Sequence, residues 1–308
     1  MKIVAIAGGV GAAKFLRGLT RVVDARDVTV IGNVGDNIWV FGVYVAPDLD
    51  IVTYALAGVW DDERGWGIKG ERFSVRDSLR AFGVKEAEWF ALGDQDFATC
   101  LFRTLLLKKG EKLSSITDKI RKKFGVRSRI IPVTEQELTT MVRLDNGWVS
   151  FEEYYVRLRS EPLIHKIEYK GWESSEPAEG VISAIREADR VFICPSNPLA
   201  SIAPILVVPG VREELKAIRH KVVAVSPLVK GKAIKGPADR MMAQLGLEPS
   251  PKGLASFYKD IAGTLVVDEL DRESVVSSGI NEPRIVFSDT LMVNENAAER
   301  LARQALYL

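Results

Sequence analysis

Two residue types that often build catalytic centres are almost missing from this 308-residue sequence: histidine occurs twice, at His165 and His220, and cysteine twice, at Cys100 and Cys194. Two separated histidines exclude a histidine-rich zinc centre. A catalytic metal would rest mostly on carboxylate oxygens, the donor set of Mg²⁺ rather than Zn²⁺. Two distant cysteines exclude a disulfide framework and read as reduced core thiols in a cytoplasmic protein. An excess charge of one sign is missing as well, with 42 Lys+Arg against 41 Asp+Glu. That balance gives no sign of a nucleic-acid or membrane surface. No apolar run approaches the roughly 18 residues of a membrane span. The first apolar run is too short for a signal-peptide core and passes straight into glycines.

What is present alternates. Residues 2–7 form a short unbroken apolar run, which predicts a strand buried on both faces. Gly8, Gly9 and Gly11 follow, and residues 12–23 carry Phe15, Leu16 and Leu19 at helical spacing. Residues 28–31 predict a second strand, parallel to the first because a helix joins them. Further helices are expected from residue 51, over 97–109 and over 114–124. Residues 61–70 read as a loop. Residues 127–172 differ in texture: β-rich stretches at 130–133, 139–144, 148–151 and 154–158 surround Asp145-Asn146-Gly147, a strong hairpin turn. Strand and helix patterns then resume to about residue 267. The expectation is one α/β domain over 1–308, a doubly wound, mostly parallel Rossmann-like sheet, with a smaller β-rich and helical insertion at about 127–172.

Ligands of such sheets lie beyond the carboxyl ends of the strands. The first strand ends in Gly8-Gly9-Val10-Gly11, which lets a backbone approach a ligand and opens a helix whose free N–H groups suit an anion. The spacing is not G-x-G-x-x-G, because Lys14 stands at its last position; Lys14 either adds a cation there or is a solvated helix residue. The second strand leads to Asp36, in a Gly-Asp-Asn turn. Pro47-Asp48-Leu49-Asp50 puts two carboxylates before a helix. One of them suffices as a cap, and with Asp36 they make an oxygen set for a hard cation. A third acidic group, Leu92-Gly93-Asp94-Gln95-Asp96, also precedes a helix. Later strands end in Cys194-Pro195-Ser196-Asn197-Pro198 and Val225-Ser226-Pro227, and Lys235-Gly236-Pro237 opens another helix. These rigid polar turns at strand ends outline a ligand crevice. Ser196 lacks the G-x-S-x-G setting of a nucleophile.

The strings GGVGAAK, GNVGDN, PDLDIVTYALAG, LGDQDFAT, CPSNPLASIAPILVVPG and AVSPLVKGKAIKGP, in that order over residues 1–270, resemble the 2-phospho-L-lactate transferase family of deazaflavin coenzyme F-420 biosynthesis. The resemblance implies a guanosine-diphosphate-linked lactyl or enolpyruvyl donor, the deazaflavin Fo as acceptor through its ribityl hydroxyl, release of GMP, and Mg²⁺. It implies Asp36 and Asp50 at the metal, Asp50 with Trp89 at the acceptor, and Gly8, Gly9, Gly11, Ser196, Asn197, Ser226 and Lys235 around the nucleotide. The proton of the acceptor hydroxyl needs a carboxylate, for which Asp48, Asp50 and Asp94 stand open. Trp60, Trp66, Trp89 and Phe90 are flat faces for a planar ring or else core residues. Two positions depart from the family pattern: Ala12 replaces a glycine and Cys100 a histidine. A nucleotide-sugar- or dinucleotide-binding regulatory protein of the related glycine-loop family is the competing reading, and a nicotinamide oxidoreductase a third. A homodimer using the β-rich insertion or the apolar segment 301–308 is a further expectation.

Overall fold

The computed structural model describes all 308 residues. Seven strands form the central sheet: β1 (Ile3–Ala7), β2 (Val28–Gly32), β3 (Arg129–Pro132), β4 (Arg190–Ile193), β5 (Val222–Val225), β6 (Thr264–Asp268) and β7 (Arg284–Ser288). Their order is β7-β6-β5-β4-β1-β2-β3 and every pairing is parallel. All five residues of β1 are buried, as its unbroken apolar run requires of a strand covered on both faces. The chain builds outward from β1 through β2 and β3. It then returns to the other side of β1 with β4 and builds outward again. The direction of winding therefore reverses between β1 and β4, and the loops leaving those two strands diverge there to leave a crevice.

The β-rich segment divides differently from its expected boundary. Residues 129–132 pair with β2 as the edge of the main sheet. The separate three-stranded antiparallel sheet comprises residues 139–144, 147–150 and 166–170, with Asp145 and Asn146 in its hairpin turn. Residues 154–158, expected to be extended, lie instead largely in a helical turn spanning Glu153–Arg157. The rings of Phe151 and Tyr155, four residues apart, stack at 5.8 Å, and the Tyr154 hydroxyl donates to the Ser160 carbonyl at 3.0 Å. Packing of aromatic residues at helical spacing thus overrides their β preference.

Four helices position the site. α1 (Gly9–Val22) follows β1 directly. α2 (Pro47–Leu56) starts earlier than expected, with proline at its first position and Ala46 as its cap. Asp48 and Asp50 are therefore first-turn residues facing inward, and neither is the cap. α3 (Asp94–Leu107) has its first N–H groups satisfied from outside, since the Glu71 carboxylate accepts from Gln95 and Asp96 at 3.0 and 2.9 Å. α4 (Glu295–Leu306) lies along α1. Leu301, Ala302 and Ala305 are buried, and Arg21 reaches Glu299 at 2.8 Å. Of the segment 301–308, expected as one surface for a second copy, Leu301, Ala302, Ala305 and Leu306 are buried within the chain while Tyr307 is exposed. No helix is long and apolar enough to cross a membrane.

Candidate active site

A cavity of about 620 Å³ lies where the winding reverses. Its volume falls within the range of small-molecule and cofactor sites. The loops after β1, β4 and β5 form its floor, so Gly8, Gly9, Gly11, Ser196, Asn197 and Ser226 all border it. Gly11 is required by contact: a Cβ there would stand 1.8 Å from the Pro195 carbonyl oxygen, so the first and fourth strand loops touch backbone to side-chain position. The floor is largely satisfied internally. The Gly9 N–H donates to Asp48 Oδ1 at 2.7 Å. Asn197 Oδ1 accepts from the Leu199 N–H at 3.0 Å, and Ser226 Oγ both donates to and accepts from Leu228 at 3.0 Å. The Ser196 hydroxyl, by contrast, is buried without a partner.

Carboxylates make the next wall. Asp36, Asp48, Asp50 and Asp96 are buried and border the cavity together with Glu152. The Asn33 amide donates to Asp48 Oδ2 at 2.8 Å and to Asp36 Oδ2 at 3.2 Å, tying these two acids together. Asp50 pairs with the buried Arg103 guanidinium. Asp96 accepts from the Tyr54 hydroxyl at 2.7 Å. Oxygens of Asp50 and Asp96 and the Cys100 sulfur lie within 4.8 Å of one another. Burial holds these groups away from their charged forms. Burial pushes Asp48 up to about 6. Burial and the Asp50 charge push Asp96 up to about 7. Burial and Asp48 push Glu152 up to about 8. Asp36 and Asp50 are raised by the same desolvation, Asp50 against the pull of Arg103. Burial also raises the Cys100 thiol well above its ordinary value, so it stays protonated. One oxygen each of Asp36 (Oδ1) and Asp50 (Oδ2) is buried without a hydrogen-bond partner, the Thr140 hydroxyl standing near Asp36.

Trp66, Trp89 and Phe90 line the cavity, Trp89 and Phe90 meeting edge to face at 5.6 Å. Trp60 is a buried core residue outside it. Lys235 reaches the rim, and so does Lys14, which left the sequence reading with two roles open. Asp94 is a correction: it does not border the cavity but accepts from the Val75 N–H at 3.0 Å, and that bond keeps its carboxyl below the usual value. Its neighbour two positions on, Asp96, takes the inward place. Glu152 is a further cavity residue that the sequence does not single out, since it falls between the stretches expected at 148–151 and 154–158; its helical signal is the aromatic pair at 151 and 155.

A family model described as 2-phospho-L-lactate transferase CofD matches residues 3–304. The chain belongs to this family. It is a transferase, and the regulatory-protein and oxidoreductase readings fall away. Among family relatives, a phosphoenolpyruvate transferase from Streptomyces coelicolor is 39% identical over 313 residues, covering 100% of this chain and 98% of that protein. A 2-phospho-L-lactate transferase from Methanopyrus kandleri is 37% identical over 311 residues, covering 99% and 97%. A crystal structure of a UPF0052 family protein from Bacillus halodurans superposes with a TM-score of 0.63 at 16% identity, covering 99% of this chain and 98% of that one. That likeness shows the α/β fold.

Proposed function

We propose that this chain transfers a 2-phospholactyl or phosphoenolpyruvyl group from a guanosine-diphosphate-linked donor to the ribityl hydroxyl of the deazaflavin Fo in coenzyme F-420 biosynthesis, in the cytoplasm. The observation that carries this reading is the cavity itself. A glycine loop, a wall of carboxylates and flat aromatic faces meet at one strand reversal, in a chain matched almost end to end by a transferase family.

The acceptor oxygen attacks the phosphorus that bears the three-carbon acid, the bond from that phosphorus to the bridging oxygen breaks, and GMP leaves with that oxygen. Such a transfer needs alignment and charge neutralisation more than covalent help. The acidic wall fits Mg²⁺. Its donors are oxygens, two of them bare and buried, and Arg103 is the one buried cation paired within it. Asp36 and Asp50 would hold the ion, which when bound neutralises diphosphate charge. Asp48 is spoken for by Gly9 and Asn33 and serves to fix the glycine loop against α2. Asp96 borders the cavity with a carboxyl poised near 7, so we assign it the proton of the acceptor hydroxyl. Trp66, Trp89 and Phe90 bound an apolar slot for the deazaflavin ring.

The test is release of GMP from the guanosine-linked donor by the purified chain, with and without Fo and Mg²⁺. Release that depends on Fo supports the reading; none under any combination overturns it. Asp96→Asn keeps the Tyr54 contact and removes the base, so kcat should fall about 100-fold or more, with Fo binding retained. An unchanged kcat would remove Asp96 from this role.

A further inference from the structure

Three cationic side chains border the cavity: Lys14, Arg64 and Lys235. Arg64 is already paired, its Nε and Nη2 donating to Asp61 at 2.9 and 2.6 Å. The two lysines are in no ion pair. Lys14 Nζ, from the second turn of α1, donates to the Met292 carbonyl at 3.3 Å. Lys235 Nζ donates to the Arg64 carbonyl at 2.9 Å. An ammonium has three protons to donate, and each lysine uses one, on a neutral carbonyl.

The surroundings hold these ammoniums in place. Gly65 has φ of +84°, and a Cβ there would stand 1.8 Å from Lys235 Nζ, so the bare glycine backbone is what lets Lys235 lie across the loop. The Met292 segment is anchored by Asp268, which accepts from the Thr290 N–H at 2.9 Å and its hydroxyl at 2.8 Å. The turn before Lys235 is anchored by Asp271, which accepts from the Lys230 N–H at 3.2 Å. Both acids sit on or just beyond the end of β6, and their bonds go to these backbones rather than to the ammoniums. Partial desolvation, and then the charge of Lys14, lower Lys235 below its ordinary value, with Asp61 opposing. Two cations without counter-ions beside one cavity are repulsive until an anion joins them.

We propose that Lys14 and Lys235 form a two-lysine clamp that binds an anionic oxygen group of the donor, phosphate or carboxylate. The proposal rests on the transfer reading above and deepens it. It assigns Lys14 a binding role and makes the glycine loop an anion site through this side chain, since the Gly9 amide is occupied by Asp48.

The test uses Lys14→Met, Lys235→Met and the double variant, which keep the apolar stems and remove the charge, together with Lys→Arg at each position. Titration with guanosine, GMP and GDP, and KM for the intact donor, are compared with wild type. Each methionine variant should weaken an anionic ligand about 10-fold or more, the double variant further, while guanosine binding holds and arginine restores part of the loss. Equal loss for GMP and GDP assigns the clamp to the inner phosphate; loss for GDP alone assigns the outer phosphate. Unchanged GMP and GDP with a raised donor KM assigns the carboxylate of the three-carbon acid. Each of these supports a clamp. Values within twofold of wild type for every ligand in the double variant overturn it, as does an equal loss for uncharged guanosine. If no GMP is released, the intact donor is titrated directly in place of its KM, so the binding comparison stands and its failure is separable from failure of the transfer reading.

Discussion

The floor of the cavity and its rim are built by opposite means. The floor, where the loops after β1, β4 and β5 meet, together with the acidic wall that rises from it, is closely packed, with buried side chains tied to one another: Asn33 to two aspartates, Asp48 to Gly9, Asp50 to Arg103. The rim is formed by the loops around Gly65 and Lys235: the first is tied within itself, Arg64 to Asp61, Lys235 crosses to it by a bond to the Arg64 carbonyl, and positive-φ glycines stand at 65, 67 and 236. The floor is preorganised and intolerant of change, while the rim can adjust to ligand without disturbing the fold.

The contrast is tested most severely at Asp50. Asp50→Ala strands the Arg103 guanidinium in the interior, and unfolding by urea should show a loss of about 3–5 kcal/mol. A loss below 1 kcal/mol would mean that water reaches Arg103 and that the floor is not dry. Gly11→Ala drives a methyl into the Pro195 carbonyl, and about 1–3 kcal/mol of stability should go with it. Wild-type stability in that variant would show that the two loops part freely.

Protonation sharpens the same contrast. The carboxyls of Asp48, Asp96 and Glu152 lie at about 6, 7 and 8, above their unfolded values near 4. The folded state therefore binds more protons than the unfolded one across that window. These groups' contribution is fully present below about pH 4 and is lost as pH climbs through their folded values. Asp36 and Asp50, the carboxylates assigned to Mg²⁺, are raised by the same burial, and the ion needs their charged forms, so its stabilising effect should grow as pH rises. Saturating Mg²⁺ is expected to raise Tm by about 2–5 °C at pH 8 and by less at pH 6. A larger rise at pH 6 would place the ion away from these acids. The smallest effect belongs to the rim: Gly65→Ala should cost about 1–2 kcal/mol at most, from its positive φ, and show mainly as a raised donor KM.

The same division decides what could be read in the sequence. The floor is local: the run before Gly8 fixes β1, the glycines announce its strand-end loop, and Pro47-Asp48-Leu49-Asp50 announces a helix start, which α2 makes at Pro47 rather than at residue 51. Asp94 and Asp96 differ only in which way the first turn of α3 faces, and that depends on Glu71, more than twenty residues earlier, capping it. Glu152 sits in a turn whose aromatic and β-branched residues favour a strand until the Phe151–Tyr155 stack sets helical spacing. The clamp joins residues 14 and 235 across a loop at 65, a proximity that only the closed sheet creates. The terminal helix carried its own signal, since Asn294 accepts from the Ala297 N–H at 2.9 Å as a cap, but its partner α1 lies at the far end of the chain.

The position of β1 has a consequence for synthesis. Of the seven strands of the sheet this one is translated before the others, and it is among the most enclosed, flanked by β2 on one side and by β4 on the other. β4 begins at Arg190, so at about 5–20 residues per second a ribosome takes roughly 10–40 s to deliver that neighbour after β1 is made. Throughout that interval a fully apolar strand has one open edge. An exposed apolar edge of this kind is the surface that holding chaperones cover, and slow codons before residue 190 would lengthen its exposure more than slow codons after it.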